Sequence, residues 1–161
     1  MARVVVSVTI DASPGRVWSD VRDIATHTTW MADAVAIRFL SSQREGVGTT
    51  FECDTKVGPL RLTDKMEVTE WVDERAMGIR HVGLVRGTGR FELAPTDWSP
   101  GGPSGGPGHG HTRFSWDETL VFPWWMAGRV GGAVGGVVLR QIWKRNLRRL
   151  KQRIEQQPAS G

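Results

Sequence analysis

The chain has 161 residues, 39% of them hydrophobic and 24% charged, a size and balance that suit one globular domain. Eight Trp and five Phe exclude a largely disordered chain, and the single cysteine, Cys53, excludes a disulfide scaffold. The net charge of +4 is local: from Arg140 onward there are seven basic residues and one acidic one, leaving 14 basic against 16 acidic before them.

Val4, Val6, Val8 and Ile10 alternate with Val5, Ser7 and Thr9, a period of two that predicts a strand. Ser13 then suits a helix N-cap and Pro14 the first helical position. Val17, Val21 and Ile24 give a short amphipathic helix with Trp18 beside them, and a second short helical segment ends near Trp30. No apolar targeting segment follows Met1, which with the lone cysteine leads us to expect a cytoplasmic protein.

Strands follow. Val35, Ile37 and Phe39 alternate, as do Phe51, Cys53, Thr55 and Val57 after a turn at Gly46 and Gly48. Beyond Gly58-Pro59, Leu60, Leu62, Met66 and Val68 alternate with polar residues, and Asp73-Glu74-Arg75 predicts a hairpin. Met77, Ile79 and His81 follow, then Gly87, Gly89, Phe91 and Leu93. Residues 99–110 are almost all Gly, Pro and Ser and read as a flexible loop. Thr112, Phe114, Trp116, Leu120 and Phe122 make the last strand.

Residues 119–139 imitate a membrane span, but Pro123, five glycines and Arg129 argue against one. Pro123-Trp124-Trp125-Met126 reads as a hydrophobic lip that could gate a pocket or touch a membrane surface. Leu139, Trp143, Leu147, Leu150 and Ile154 recur at helical spacing, so the chain ends in a long helix with its basic residues off the apolar stripe. The pairs Gly131-Gly132 and Gly135-Gly136 open this helix, for close packing or for pocket space. Residues 1–157 are read as one domain and 158–161 as a disordered tail.

An antiparallel sheet must cover its apolar face, and only the final helix is long enough. The expected fold class is α+β: a seven-stranded curved antiparallel sheet gripping a long C-terminal helix, with two short helices after the first strand. Three segments resemble the START-related helix-grip superfamily, in particular its polyketide cyclase/dehydrase-like branch. They are Val8-Thr9-Ile10-Asp11-Ala12-Ser13-Pro14 with Val17-Trp18, Asp23 and Trp30; Glu67-Val68-Thr69-Glu70-Trp71 before the hairpin; and Gly89-Arg90-Phe91-Glu92-Leu93 with His111-Thr112-Arg113-Phe114-Ser115-Trp116. The resemblance implies a cavity for an apolar or aromatic small molecule. It implies no single reaction, since members include cyclases, carriers and sensors.

Strand parity offers an independent test. Asp64 falls among the inward even positions of its strand, Glu118 between Trp116 and Leu120, and His81 last among the odd inward positions from Met77. A hairpin at Asp73–Arg75 sets His81 opposite Met66 and diagonal to Asp64, and the next turn sets it near Gly87. Pairing Phe91 with Phe114 would put Gly87 opposite Glu118. Each residue has a plain alternative: Asp64 facing water or paired with a cation, Glu118 paired with Arg129, His81 solvated at a strand end. As a set, Asp64, His81 and Glu118 are the candidate catalytic group, suited to proton transfer at an enolisable ketone.

The candidate ligand-binding residues are Trp30, Phe39, Phe51, Cys53, Leu62, Met66, Ile79, Gly87, Gly89, Phe91, Trp116, Trp124 and Trp125. Cys53 is expected to be buried and inert. His109 and His111 lack a third ligand, so no metal is expected, and no cofactor. The expected partner is a hydrophobic small molecule. Peripheral membrane contact stays open, as does the choice between monomer and homodimer. The spread of basic residues over two helix faces makes nucleic-acid binding the weakest reading.

Overall fold

The computed structural model describes residues 1–96, 110–127 and 132–157. Strand β1 (Ala2–Ile10) leads into helix α1 (Pro14–Val21) and a 3-10 helix (Ile24–Thr29). Six strands follow: β2 (Ala34–Phe39), β3 (Thr50–Val57), β4 (Leu60–Val72), β5 (Ala76–Val82), β6 (Arg86–Thr96) and β7 (His111–Val121). A single turn, α2 (Trp124–Ala127), and the long helix α3 (Gly132–Gln156) end the fold. The expected loop and tail fall, but for Gly110, outside the described residues, as do His109 and Arg129.

The seven strands form one sheet in the order β1-β7-β6-β5-β4-β3-β2. Strands β2 to β7 are a meander, and β1 returns beside β7, from Ala2 opposite Leu120 to Ile10 opposite Thr112. Register shifts at Ala34/Ala36 and Val68/Glu70 mark bulges, which bend a sheet and increase its twist. The β4–β5 hairpin turns with Glu74 in the left-handed region, φ 61°. The Ser13 hydroxyl accepts from the Arg16 N–H at 3.3 Å, capping α1 as its sequence predicts.

Helix α3 packs on β1 and α1. Trp143, Leu147, Leu150 and Ile154 are all buried, the 3.6-residue stripe that the sequence shows. Polar bonds fix the same stretch. Asn146, fully buried, accepts from the Ala32 N–H at 2.9 Å and donates to Asp33 Oδ1 at 2.6 Å. Lys151 donates to the Thr9 carbonyl at 2.7 Å, and Arg149 to the Thr29 carbonyl at 3.2 Å. Several of the C-terminal cations thus tether the helix rather than form a free basic face. No helix among the described residues is long and apolar enough to cross a membrane.

Candidate functional site

Between the sheet and the first half of α3 lies a cavity of about 530 Å³. Alternation on the strands puts its walls in place, because every second side chain of β3 to β7 faces α3. Phe51, Phe91, Trp116 and Trp143 give it aromatic walls, with Trp116 and Trp143 stacked at 4.9 Å between centroids. Helix α3 contributes Gly135, Val138 and Leu139 as well. Pro59 and Val138 both line the cavity and are exposed, which places its mouth between the β3–β4 turn and α3.

Three ionisable side chains meet inside this apolar wall. His81 on β5 pairs in register with Met66 on β4 and with Gly87 on β6. Its Nδ1 bonds to Asp64 Oδ2, and its Nε2 lies 2.8 Å from Glu118 Oε1. Glu118 is held from the other side by the Trp116 indole N–H, which donates to Oε2 at 2.6 Å. All three residues are buried. The Nε2 contact is an ion pair outside good hydrogen-bond alignment, and Nε2 is sealed behind it.

Burial pulls the His81 pKa down, but the hydrogen bond to Asp64 and the adjacent Glu118 carboxylate outweigh it and raise the pKa to about 9. At neutral pH the ring is therefore an imidazolium between two carboxylates, a proton donor rather than a base. The other cavity imidazole is its opposite. His27, on the 3-10 helix, is pushed down to about 4 by burial and stays neutral. Burial also pushes the Cys53 thiol up to about 11, so it is a wall residue without thiolate character.

Eight of the expected ligand-binding residues line the cavity: Phe51, Cys53, Leu62, Met66, Ile79, Gly89, Phe91 and Trp116. Trp30, Phe39, Gly87, Trp124 and Trp125 do not. Trp30 is buried in the aromatic core beside His27 and Phe91. Phe39 packs on Phe51 beneath the Arg44 guanidinium. Gly87, at φ 143°, lets the strands approach so closely that a Cβ would stand 1.8 Å from the Thr119 carbonyl; its bareness serves the backbone. Trp124 and Trp125 stand in α2 facing solvent, 87% and 54% exposed.

The sequence register for β6 and β7 needs a correction. Phe91 pairs with Trp116, so Gly89 rather than Gly87 faces Glu118. A slip of two residues preserves parity, which is why Glu118 still points inward. A Cβ on Gly89 would come within 3.0 Å of Ile79 and 3.5 Å of Glu118. His111 pairs with Asp11 at 3.2 Å, at the end of the sheet remote from His81. Sequence reasoning missed His27, Asp33 and Met31 as lining residues. They sit in a 3-10 stretch and its exit, where neither a 3.6 nor a 2.0 period marks a face.

A sheet wrapped over one terminal helix, with an aromatic cavity between them, defines the helix-grip class. The chain belongs to the family described as polyketide cyclase / dehydrase and lipid transport, whose sequence profile matches residues 1–155. Among solved structures it is similar to a protein of Thermus thermophilus, at 19% identity and TM-score 0.76, covering 99% of each chain. It is also similar to the Zhui aromatase/cyclase of a Streptomyces species, at 13% identity and TM-score 0.71, over 99% of this chain and 98% of that one. A START superfamily protein of Mycobacterium smegmatis is similar at 15% identity and TM-score 0.70, over 97% and 99%. No curated protein sequence matches. At these identities the structural likenesses establish the fold.

Proposed function

We propose that the chain binds a hydrophobic or aromatic small molecule, of lipid or polyketide-like chemistry, in the cavity between sheet and helix. The supporting observation is the cavity itself: about 530 Å³, walled by aromatic and aliphatic side chains, with polar groups at a few points. Pockets for small organic ligands have this size and this balance. Native mass spectrometry of the gently purified chain, with a titration of 2-acetonaphthone followed by Trp fluorescence, tests the reading. A ligand adduct, or saturable quenching centred on Trp116 and Trp143, is expected. Neither adduct nor quenching would overturn it.

A second reading, a cyclase/dehydrase-type enzyme, is favoured by one observation: an imidazolium and a carboxylate already 2.8 Å apart in the cavity. In this reading a substrate ketone oxygen wedges in beside Glu118, uncovers the sealed His81 Nε2–H and accepts a hydrogen bond from it. Glu118 removes a proton from the adjacent carbon, and His81 delivers its proton to the oxygen, giving an enol. The enol carbon then attacks a second carbonyl carbon of the same chain, and that oxygen takes up the proton released from the enol. Glu118 returns the first proton to His81 across their contact, so the acid–base pair ends as it began. Asp64 keeps the ring oriented and charged throughout.

Deuterium exchange into the methyl group of bound 2-acetonaphthone reports the proton step without requiring the natural substrate. His81→Gln is expected to lower the exchange rate by about 10²-fold or more while binding changes little. Equal exchange rates in the two proteins would remove His81 from the chemistry.

A further inference from the structure

His27 is the cavity imidazole that the proton-transfer reading leaves unused. Its Nε2 lies 2.7 Å from the Val21 carbonyl oxygen. A carbonyl can only accept, so the ring hydrogen is on Nε2. Burial keeps the ring neutral, so Nδ1 carries a bare lone pair. No donor among the described residues meets Nδ1. The indole N–H groups of Trp18 and Trp30 and Nε2 of His81 are sealed without a partner; Nδ1 of His27 is not among such atoms, and its ring lines the cavity. The ring is also held in place, with centroids 5.1 Å from Trp30 and 5.9 Å from Phe91.

His81 is the opposite case, a charged ring whose Nε2 is sealed behind its contact with Glu118. The two imidazoles are well separated. His81 pairs with Gly87, and His27 sits over Phe91, four residues further along β6, or about 13 Å at strand rise. A plain acyl chain would cover Nδ1 and offer it nothing, and a buried acceptor left without a donor is costly. A ligand that matches His27 carries a proton-donating hydroxyl on a flat apolar body that fits between the aromatic walls.

We infer that His27 is a specificity-determining residue that accepts a hydrogen bond from a phenolic or enolic hydroxyl, so that the cavity selects hydroxylated aromatic molecules. This rests on the ligand-binding reading above and deepens it, since it names the ligand class.

The test is a titration of the full chain with three probes: 6-hydroxy-2-acetonaphthone, its 6-methoxy ether and unsubstituted 2-acetonaphthone. The hydroxy ketone is expected to bind about tenfold more tightly than either analogue, the effect of one added hydrogen bond. His27→Phe is expected to abolish that preference. The unsubstituted ketone separates loss of the hydroxyl from steric exclusion of the ether. Equal affinities for the hydroxylated and unsubstituted ketones, or a preference that survives His27→Phe, would overturn the inference and leave cavity binding standing. If no probe binds, the binding reading falls and the inference with it. Should His27→Phe fail to fold, the ¹⁵N resonance of Nδ1 in the unaltered chain decides. It should move with the hydroxy ketone and stay put with the other two; no movement would overturn the inference.

Discussion

The two halves of α3 obey one sequence pattern and do different work. From Trp143 to Ile154 the stripe is buried, and Asn146, Arg149 and Lys151 bond to the opposite elements. From Gly135 to Ile142 the same helix stands over the cavity, with Val137 and Val138 60% and 43% exposed. One half carries the fold and the other leaves room for a ligand. An amphipathic period states which face turns inward, without stating whether that face meets side chains or empty space.

The sharpest way to break this contrast is a matched pair of truncations. Leu150, fully buried, should cost about 3 kcal/mol on change to Ala, because the site cannot collapse around the lost atoms. Leu139, half-buried on the cavity wall, should cost about 1 kcal/mol or less, since it already borders a void. Urea denaturation measures both, and equal costs would mean that the halves are packed alike.

The two cavity imidazoles give a pH version of the comparison. His81 binds its proton more tightly folded, about 9, than unfolded, about 6.5. It therefore adds up to about 3 kcal/mol that is fully present below pH 6.5 and is lost as pH rises through 9. His27, at about 4 in the fold, has the opposite sign: its contribution is present above pH 6.5 and is lost as pH falls towards 4. Stability curves from about pH 4 to 10 for the unaltered chain, His81→Gln and His27→Gln should each lose one flank in the respective variant. A basic flank that persists in His81→Gln would contradict the ion cluster.

The gentlest test acts on the void alone. Gly135→Leu should raise stability by up to about 1 kcal/mol, because glycine is a poor helix former. The same change should weaken 2-acetonaphthone binding by filling the cavity. Unchanged binding would place the ligand away from α3.

Much of this arrangement is legible in the chain. The alternation at Leu60, Leu62, Met66 and Val68 already puts Asp64 inward, and the Asp73–Arg75 turn brings His81 opposite Met66. Parity is robust there because a buried face penalises a one-residue slip. Nothing local distinguishes Trp116, which lines the cavity, from Trp30, which fills the core. The same difficulty hides His27, whose 3-10 stretch carries no period.

The order of strands and helices, the inward side of each strand and the apolar stripe of the last helix are written in the residues themselves. They follow from periods of two and 3.6 residues and from local turn and cap chemistry. Packing between distant segments was needed to set Gly89 rather than Gly87 against Glu118, to make one imidazole charged and the other neutral, and to leave half of α3 spanning a hollow. Those outcomes depend on how far apart remote parts of the chain come to rest, and on the burial and neighbours that result.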